Sequence, residues 1–275
     1  MHAVSRDDEG VGDVVSTGLA GVSEDVLVVN PTTATVRALV DELGTMDSPP
    51  AVRLLADAGL MKDLVDDFLV ASAVADLTTD GVLSIRTLET VPRNSLLVSP
   101  DAVTAVVDGG ETVAGLSAAD AALVDDAYDH YDASWQAAAE FTLRTPPLSQ
   151  VRSTLEAEIG PETAADFDAA LDALDAARGN GDGLDEVTVS LVVAARNDVL
   201  LYDVSKWGED VGLASKATFS RTKTNLEEAG VIDTDKVPID VGRPRLRLKI
   251  GDEDLVGLPV DELIDRVQDR VAGEA

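Results

Sequence analysis

The chain of 275 residues contains no cysteine, which excludes disulfide bridges, thiolate metal ligands and a cysteine nucleophile. Basic residues are scarce: 21 lysines and arginines stand against 52 aspartates and glutamates, and the net charge is −31. No stretch approaches the roughly 20 apolar residues that span a bilayer, and the first residues lack an export signal. We therefore expect a cytoplasmic protein without a membrane segment, whose acidic surface keeps it hydrated in a very salty cytoplasm.

The order of apolar runs and helical periods predicts two domains, for which a content of 45% hydrophobic residues provides enough core. Over residues 24–144, strand and helix patterns alternate, which predicts an α/β sandwich. Beyond the prolines at 146–147, helices followed by a hairpin predict an α+β winged helix-turn-helix. The expected domains are an α/β ligand-sensing domain (1–145), a helical connection with a glycine-rich linker (146–183), and a winged helix-turn-helix with a C-terminal amphipathic helix (184–275).

The helix predicted over 215–230 has the side chains of a DNA-reading helix. Phe219, Thr222, Leu226 and Ala229 recur at spacings of three and four residues, which predicts its buried stripe. Arginine can bind guanine and asparagine can bind adenine, while hydroxyls and lysines can hold phosphates. The outward and flanking residues that we expect to bind DNA are Lys216, Thr218, Ser220, Arg221, Lys223, Thr224 and Asn225.

The stretch VGRPRLRLKIG (241–251) places a positive charge at every second position. As a strand, it would send these cations to one face and its apolar residues to the other. Between Lys216 and Lys249 there are eight bases and five acids, a local reversal of charge that is typical of a nucleic-acid site. The alternative is that the cations pair with nearby acids and the winged helix is a protein-interaction or dimer module. The wing residues that we expect to bind DNA are Arg243, Arg245, Arg247 and Lys249.

The segment VSKWGEDVGLASKATFSRTKTNLEEAGVI (204–232) resembles archaeal winged-helix transcription factors, in which T-x-S-R precedes packing of the LEEAGVI type. From about Val26 to about Ile250 the chain resembles haloarchaeal regulators of the TbsP type, which are associated with the sugar-responsive TrmB regulators of central carbon metabolism. The resemblance implies a regulator of sugar metabolism whose N-terminal domain is similar to the phospholipase-D-like effector domain of TrmB regulators. Catalysis is not expected, because neither His2 nor His130 begins the His-x-Lys signature. In TrmB regulators the DNA-binding domain comes first, whereas here it comes last.

A candidate effector site lies in the stretch VLVVNPTTATVRAL (26–39), where a strand meets the start of a helix and backbone amides can attract an anion. The first 145 residues contain only seven bases, so the arginines in or beside strands stand out. We expect a small phosphorylated metabolite to bind here. The alternative is threonine capping, with the arginines paired to surface acids. The residues predicted to bind the effector are Asn30, Thr32, Thr33, Arg53, Arg86 and Arg93.

Enzymatic chemistry is not indicated, because the chain lacks G-x-S-x-G, a phosphate-binding loop with lysine and spaced metal ligands. No cofactor and no metal site are expected. The sequence predicts a regulator that binds double-stranded promoter DNA as a homodimer, since one short helix makes too few base contacts. The tail 258–275 either dimerises or packs within the chain. Two other classes remain open: a protein-interaction adaptor of the transcription machinery, and a metabolic enzyme with an accessory winged helix.

Overall fold

The computed structural model of the protein describes residues 4–5, 8–22, 24–110, 112–177, 184–239 and 244–273. It divides into two compact units, an N-terminal unit (Met1–Pro147) and a C-terminal unit (Leu148–Ala275). In the described part of the chain, no helix has both the length and the apolar character needed to cross a membrane. Within the same residues, no group of three or more His, Asp or Glu side chains is placed to hold a metal ion.

The N-terminal unit is built on one mixed sheet of eight strands in the order β1-β7-β6-β5-β2-β3-β4-β8. Strands β2, β3 and β4 run parallel, and β5 lies antiparallel on the other side of β2. The elements, in chain order, are β1 (Val4–Ser5), α1 (Asp8–Leu19), β2 (Asp25–Val29), α2 (Thr33–Thr45), β3 (Ala51–Ala56), α3 (Ala58–Asp66), α4 (Phe68–Thr79), β4 (Leu83–Thr87), β5 (Ser95–Val98), β6 (Val103–Asp108), β7 (Thr112–Ala118), α5 (Ala121–Ala137) and β8 (Ala139–Glu140).

Helices cover both faces of this sheet, because its central strands are apolar on both sides. Val28 and Leu54 pack with residues of α1, α2, α3 and α4 on one face. Leu27 and Leu55 pack on the other face against α5, chiefly through Trp135. Near-continuous apolar runs are typical of strands that are buried on both faces. The three layers confirm the predicted α/β sandwich.

Two helices of this unit differ from the sequence-based expectation. Apolar residues near helical spacing over 61–77 predict one helix. The structure divides it into α3 and α4, because the carboxylate of Asp67 accepts a hydrogen bond from the backbone N–H of Val70 at 3.3 Å and so caps a new helix. The sequence likewise predicts one helix over about 118–143, but α5 ends at Ala137, since the chain then adds β8 to the edge of the sheet beside β4.

The C-terminal unit contains a winged helix-turn-helix with further helices packed on it, which confirms the predicted fold class. The glycine-rich stretch 178–183, predicted as a linker, lies outside the described residues. The elements are α6 (Leu148–Glu158), α7 (Pro161–Ala177), α8 (Glu186–Arg196), α9 (Leu201–Val211), α10 (Lys216–Glu228), β9 (Ile232–Val237), β10 (Arg245–Ile250), a short 3₁₀ turn (Glu253–Leu255) and α11 (Val260–Gly273).

Helices α6 and α7, which the sequence analysis assigned to a connection, pack within this unit. Helix α6 contacts α7 and α9, and α7 contacts α8 and α11. The indole N–H of Trp207 in α9 donates to the hydroxyl of Thr154 in α6 at 3.0 Å. In α11, Leu263 and Val267 are fully buried. Of the two roles considered for the tail, packing within the chain is the one that the structure shows.

Candidate nucleic-acid interface

Helices α9 and α10 form a helix-turn-helix whose close packing depends on one glycine. A Cβ atom at Gly208 in α9 would lie 2.3 Å from two ring carbons of Phe219 in α10. Phe219 is completely buried. The turn begins at Gly212, which ends α9 in the left-handed conformation with φ of 88° and takes no steric penalty for it. These two glycines let α10 cross α9 at short range.

The orientation of α10 is fixed by its cap and by its buried stripe. The hydroxyl of Ser215 accepts a hydrogen bond from the backbone N–H of Thr218 at 3.2 Å, so the helix begins at Lys216. Phe219 and Leu226 are buried, as the spacing predicted. The opposite face is turned to solvent. Of the seven helix residues predicted to bind DNA, the structure exposes Lys216, Ser220, Arg221, Thr224 and Asn225.

The other two predicted residues are engaged within the unit. The ammonium group of Lys223 lies 2.5 Å from the carboxylate of Glu227, and the lysine side chain is only 12% exposed. Thr218 is half-buried, and its hydroxyl is 3.0 Å from that of Ser215. Both residues therefore hold the helix in shape rather than project from its exposed face.

Lys216 is exposed but carries its own counter-ion. Its ammonium group donates to the carboxylate of Glu209 in α9 at 2.6 Å. This hydrogen bond raises the pKa of Lys216 and lowers the pKa of Glu209. Arg221 differs, because within the described residues it has neither an ion pair nor a hydrogen-bond partner for its side chain. Arg221 is thus the cation of α10 that remains available to a ligand.

The wing is a two-stranded sheet of β9 and β10, with β10 tied to the helices. The backbone N–H of Leu248 donates to the carbonyl of Val199, between α8 and α9, at 2.9 Å. As predicted, Leu248 points inward and is buried. The face of the wing that holds the predicted cations also holds acids, because β9 places Asp235 opposite Arg247 and Asp233 opposite Lys249.

Of the four wing cations predicted to bind DNA, two are paired. Lys249 forms an ion pair with Asp235. The guanidinium carbon of Arg245 lies 4.4 Å from the ring centre of Tyr202, and the guanidinium is 3.5 Å from Asp203. Arg247 is exposed and has no ion pair among the described residues. Arg243 lies outside the described residues. The sequence analysis missed Tyr202 and Glu209, because Tyr202 meets Arg245 and Glu209 meets Lys216 only in the folded unit.

In the N-terminal unit, some of the residues predicted to bind the effector lie together at one edge of the sheet, beside the carboxyl end of β2. Asn30 follows β2 with φ of 48°, and its side-chain amide donates to the carbonyl of Pro92 at 2.8 Å, next to exposed Arg93. The pairing of β2 with β5 places Ser95 alongside Asn30. The Ser95 hydroxyl is buried, and no hydrogen-bond partner for it lies among the described residues. Ser95 was not among the residues that the sequence predicted to bind the effector.

Thr32 and Thr33 lie at the same edge, where α2 begins. Thr32 is the capping residue, since its hydroxyl accepts a hydrogen bond from the backbone N–H of Thr35 at 3.1 Å. The threonine-capping alternative therefore describes Thr32 correctly. Thr33 is the first residue of α2 and is half-buried.

Arg53 and Arg86 are not brought to this edge, because both pack on the α5 face of the sheet. Arg53 is held by Asp25 and by Asp132, the latter at 2.5 Å. Burial lowers the pKa of Arg53, but the hydrogen bond to Asp132 and the charge of Asp25 outweigh it and leave that pKa raised. Arg86 lies 4.8 Å from the ring centre of Trp135 and donates to its carbonyl at 2.7 Å. Both guanidinium groups are thus engaged inside the unit, although the buried Nε of Arg53 has no hydrogen-bond partner among the described residues.

Solved structures, among them the following three, are similar to part of the chain. TrmBL2, an archaeal chromatin protein, is 12% identical with a TM-score of 0.37, and the match covers 51% of this chain and 54% of TrmBL2. The chain thus spans about half the length of TrmBL2. NucT from Helicobacter pylori and Nuc from Salmonella typhimurium, a phospholipase D family member, are each 10% identical with TM-scores of 0.35, covering 51% of this chain and 96% of each protein. These likenesses are too distant to assign a function.

Family models give a firmer result. The model of the N-terminal part of TbsP-like transcriptional regulators matches residues 4–146. The model of their C-terminal helix-turn-helix domain matches residues 147–268. No curated protein sequence matches the chain. The two matches together extend over most of the chain and confirm the resemblance found in its sequence. The chain therefore belongs to the family of TbsP-like transcriptional regulators.

Proposed function

We propose that the protein binds promoter DNA through α10 and its wing, and that a metabolite bound to the N-terminal unit controls this binding. The observation that carries the proposal is the exposed face of α10. In a chain of net charge −31, the eleven residues from Lys216 to Leu226 include no acid. Arg221 and Asn225, one helical turn apart, project from that face and have the side chains that recognise guanine and adenine edges in the major groove.

The other exposed groups complete the contact with DNA. Ser220 and Thr224 flank Arg221 on α10 and suit hydrogen bonds to bases or phosphates. Arg247 on the wing suits a backbone phosphate, which positions the protein without reading sequence. A single α10 offers too few base contacts for a unique promoter site. We therefore propose a homodimer that binds two half-sites one helical turn apart.

The test is the effect of Arg221→Ala on binding of the full chain to an operator selected from random duplexes. We expect the affinity for that operator to fall by about 1 to 3 kcal/mol, or about five- to 150-fold, with less discrimination at one base position. Arg247→Ala is the matched control, because it removes a cation of the wing and should weaken binding to all sequences alike. Equal operator affinity of the wild type and Arg221→Ala would show that α10 does not read the DNA.

The edge of the sheet at Asn30 supports the proposal of an effector. The chain runs outward through β2, β3 and β4 and returns to the other side of β2 with β5. In α/β proteins, ligands often bind at the strand ends beside such a point of reversal. Here the buried hydroxyl of Ser95, the amide of Asn30 and the exposed cation of Arg93 lie in that part of the unit. These groups suit a small phosphorylated metabolite, such as a sugar phosphate.

Gating is tested by measuring operator affinity with and without each member of a panel of sugar phosphates. An effector should change the affinity of wild type, and Arg93→Ala and Ser95→Ala should reduce that change while leaving operator affinity without effector unaltered. By linkage, the operator should change effector affinity by the same factor. If no sugar phosphate of the panel changed operator affinity, the proposal that a metabolite controls DNA binding would be refuted. Promoter occupancy in the native host, with and without sugar, would then test the proposed role in central carbon metabolism.

A further inference from the structure

A groove opens between the loop end of the wing and the helices, beside the proposed reading face. It has a volume of about 370 Å³ and lies between the first turn of α9, the first two turns of α10 and the start of β10. Its volume falls in the range of roughly 300–1,000 Å³ that is typical of small-molecule pockets. Ser220 forms part of its wall and is next to Arg221 in the chain. A duplex read by Arg221 would therefore run past the opening of this groove.

The lining of the groove is unusual for this protein. Among the described residues, every one that lines the groove is apolar, hydroxyl-bearing or basic, in a chain with 52 acids. Tyr202 and Ile239 are 47% and 41% exposed, which places them among the most exposed large apolar side chains in the described residues. Leu246 adds to this apolar wall, and Lys216 and Arg245 provide its two cations. Their partners Glu209 and Asp203 are not part of the lining.

The chemistry of the groove fits one deoxyribose-phosphate unit of a DNA backbone. An apolar wall can cover the C–H groups of a sugar, while hydroxyls and cations hold the adjoining phosphate. The position of Arg245 over the ring of Tyr202 fixes both side chains before binding, so little conformational freedom is lost on contact. Within the part of the chain that the structure describes, the lining contains no acid, and this matters because a carboxylate there would repel the phosphate.

We propose that this groove binds a backbone sugar of the operator and supplies affinity that salt does not screen. This inference rests on the proposed function, since it requires that α10 binds DNA. Contacts between phosphates and lysines weaken as salt rises, because binding then releases fewer counter-ions. Contact between the Tyr202 ring and a sugar involves no charge and keeps its strength. The groove thereby maintains DNA binding where ion pairs contribute little.

The experiment compares operator affinity of the full chain and two variants over a series of salt concentrations. Tyr202→Asn removes the apolar ring, and we expect about fivefold weaker binding at every salt concentration, because a half-exposed ring covers about half of its surface on contact. The slope of affinity against salt should be unchanged. Tyr202→Phe keeps the ring and should bind as wild type does. Lys216→Ala is the charge control and should reduce the slope by about one.

Hydroxyl-radical footprinting gives a direct readout, since these radicals attack deoxyribose. Wild type should protect one sugar beside the bases contacted by α10, and Tyr202→Asn should expose that sugar alone. If wild type binds no duplex, the proposed function itself fails. If wild type binds and Arg221→Ala weakens binding, but Tyr202→Asn behaves as wild type in affinity and footprint, only the groove proposal is overturned. A reduced salt slope in Tyr202→Asn would also overturn it, because the residue would then act through charge.

Discussion

Replacing Gly208 by alanine should destabilise the C-terminal unit, although the same change stabilises most helices. Alanine gains about 1 kcal/mol over glycine inside a helix. Against this, its Cβ would lie 2.3 Å from the buried ring of Phe219, whereas carbon atoms pack at about 3.5–4.0 Å. The ring or the whole of α10 must then move by about 1 Å. Overpacking of this kind costs about 1–3 kcal/mol, and complete burial of Phe219 places it at the upper end. We expect a net loss of about 2 kcal/mol.

The assay is urea unfolding followed by tryptophan fluorescence. The sequence has two tryptophans, Trp135 in the N-terminal unit and Trp207 in the C-terminal unit, so a Trp135→Phe background reports the C-terminal unit alone. Gly12→Ala is the matched control, because a Cβ at Gly12 in α1 meets no atom within 4 Å. That variant, followed through Trp135, should gain stability. The double variant Gly208→Ala, Phe219→Leu should lose less than the two single changes added together, since leucine leaves room for the new methyl.

The contrary result is a Gly208→Ala protein as stable as the wild type, or more stable. It would mean that α9 and α10 are not in contact at this point, and the orientation of the exposed face of α10 would lose its support. Operator binding by Gly208→Ala gives a second measure. A displacement of α10 by about 1 Å misplaces hydrogen bonds to bases, so affinity for the operator should fall more than affinity for random DNA.

Two further predictions concern charged and titrating groups. Glu209→Gln should strengthen binding to any duplex about threefold at low salt and have little effect at high salt, because it releases Lys216 from a surface ion pair. Filter binding over a series of salt concentrations measures this change. Unchanged affinity would show that Lys216 lies away from the DNA. The second concerns Tyr128, whose hydroxyl donates to Asp25 at 2.8 Å. Burial, and then this hydrogen bond, raise the pKa of Tyr128, so its contribution to stability is fully present below the unfolded pKa of about 10 and is lost as pH rises through the folded value. Tyr128→Phe should remove this alkaline loss from the unfolding free energy, and equal pH profiles of the two proteins would contradict the assignment.

The fold could be predicted from the sequence wherever apolar residues recur at a single spacing, either that of a helix or that of a strand. The spacing of Phe219 and Leu226 gave the buried face of α10, and the alternation around Leu248 gave the inward face of the wing. The pattern failed at Asp67, because apolar residues continue at helical spacing on both sides of it. Only the cap that its carboxylate makes with Val70 divides the helix. The capping hydrogen bond depends on the backbone conformation at Asp67, and the spacing of apolar residues gives no information about that conformation.

The candidate sites were harder to predict, because their members are distant in the sequence. Ser95 reaches Asn30 only through the return of the chain to β2, and this register could not be read from either segment. The pairing of Arg53 with Asp25 and Asp132 likewise requires knowing where α5 crosses the sheet. Composition gave no help, since acids are so abundant that every cation has several candidate partners.

The pairing of Lys216 with Glu209 affects how such a protein would search a chromosome. A protein whose lysines are all unpaired is held by any stretch of duplex, and most of its search time passes on the wrong sequences. Here Lys216 must exchange a carboxylate of its own chain for a phosphate, so its gain on random DNA is small. Complexes with random duplex should therefore be short-lived. The time to reach a promoter should then depend on the rate of association with DNA rather than on the rate of dissociation from non-specific sites.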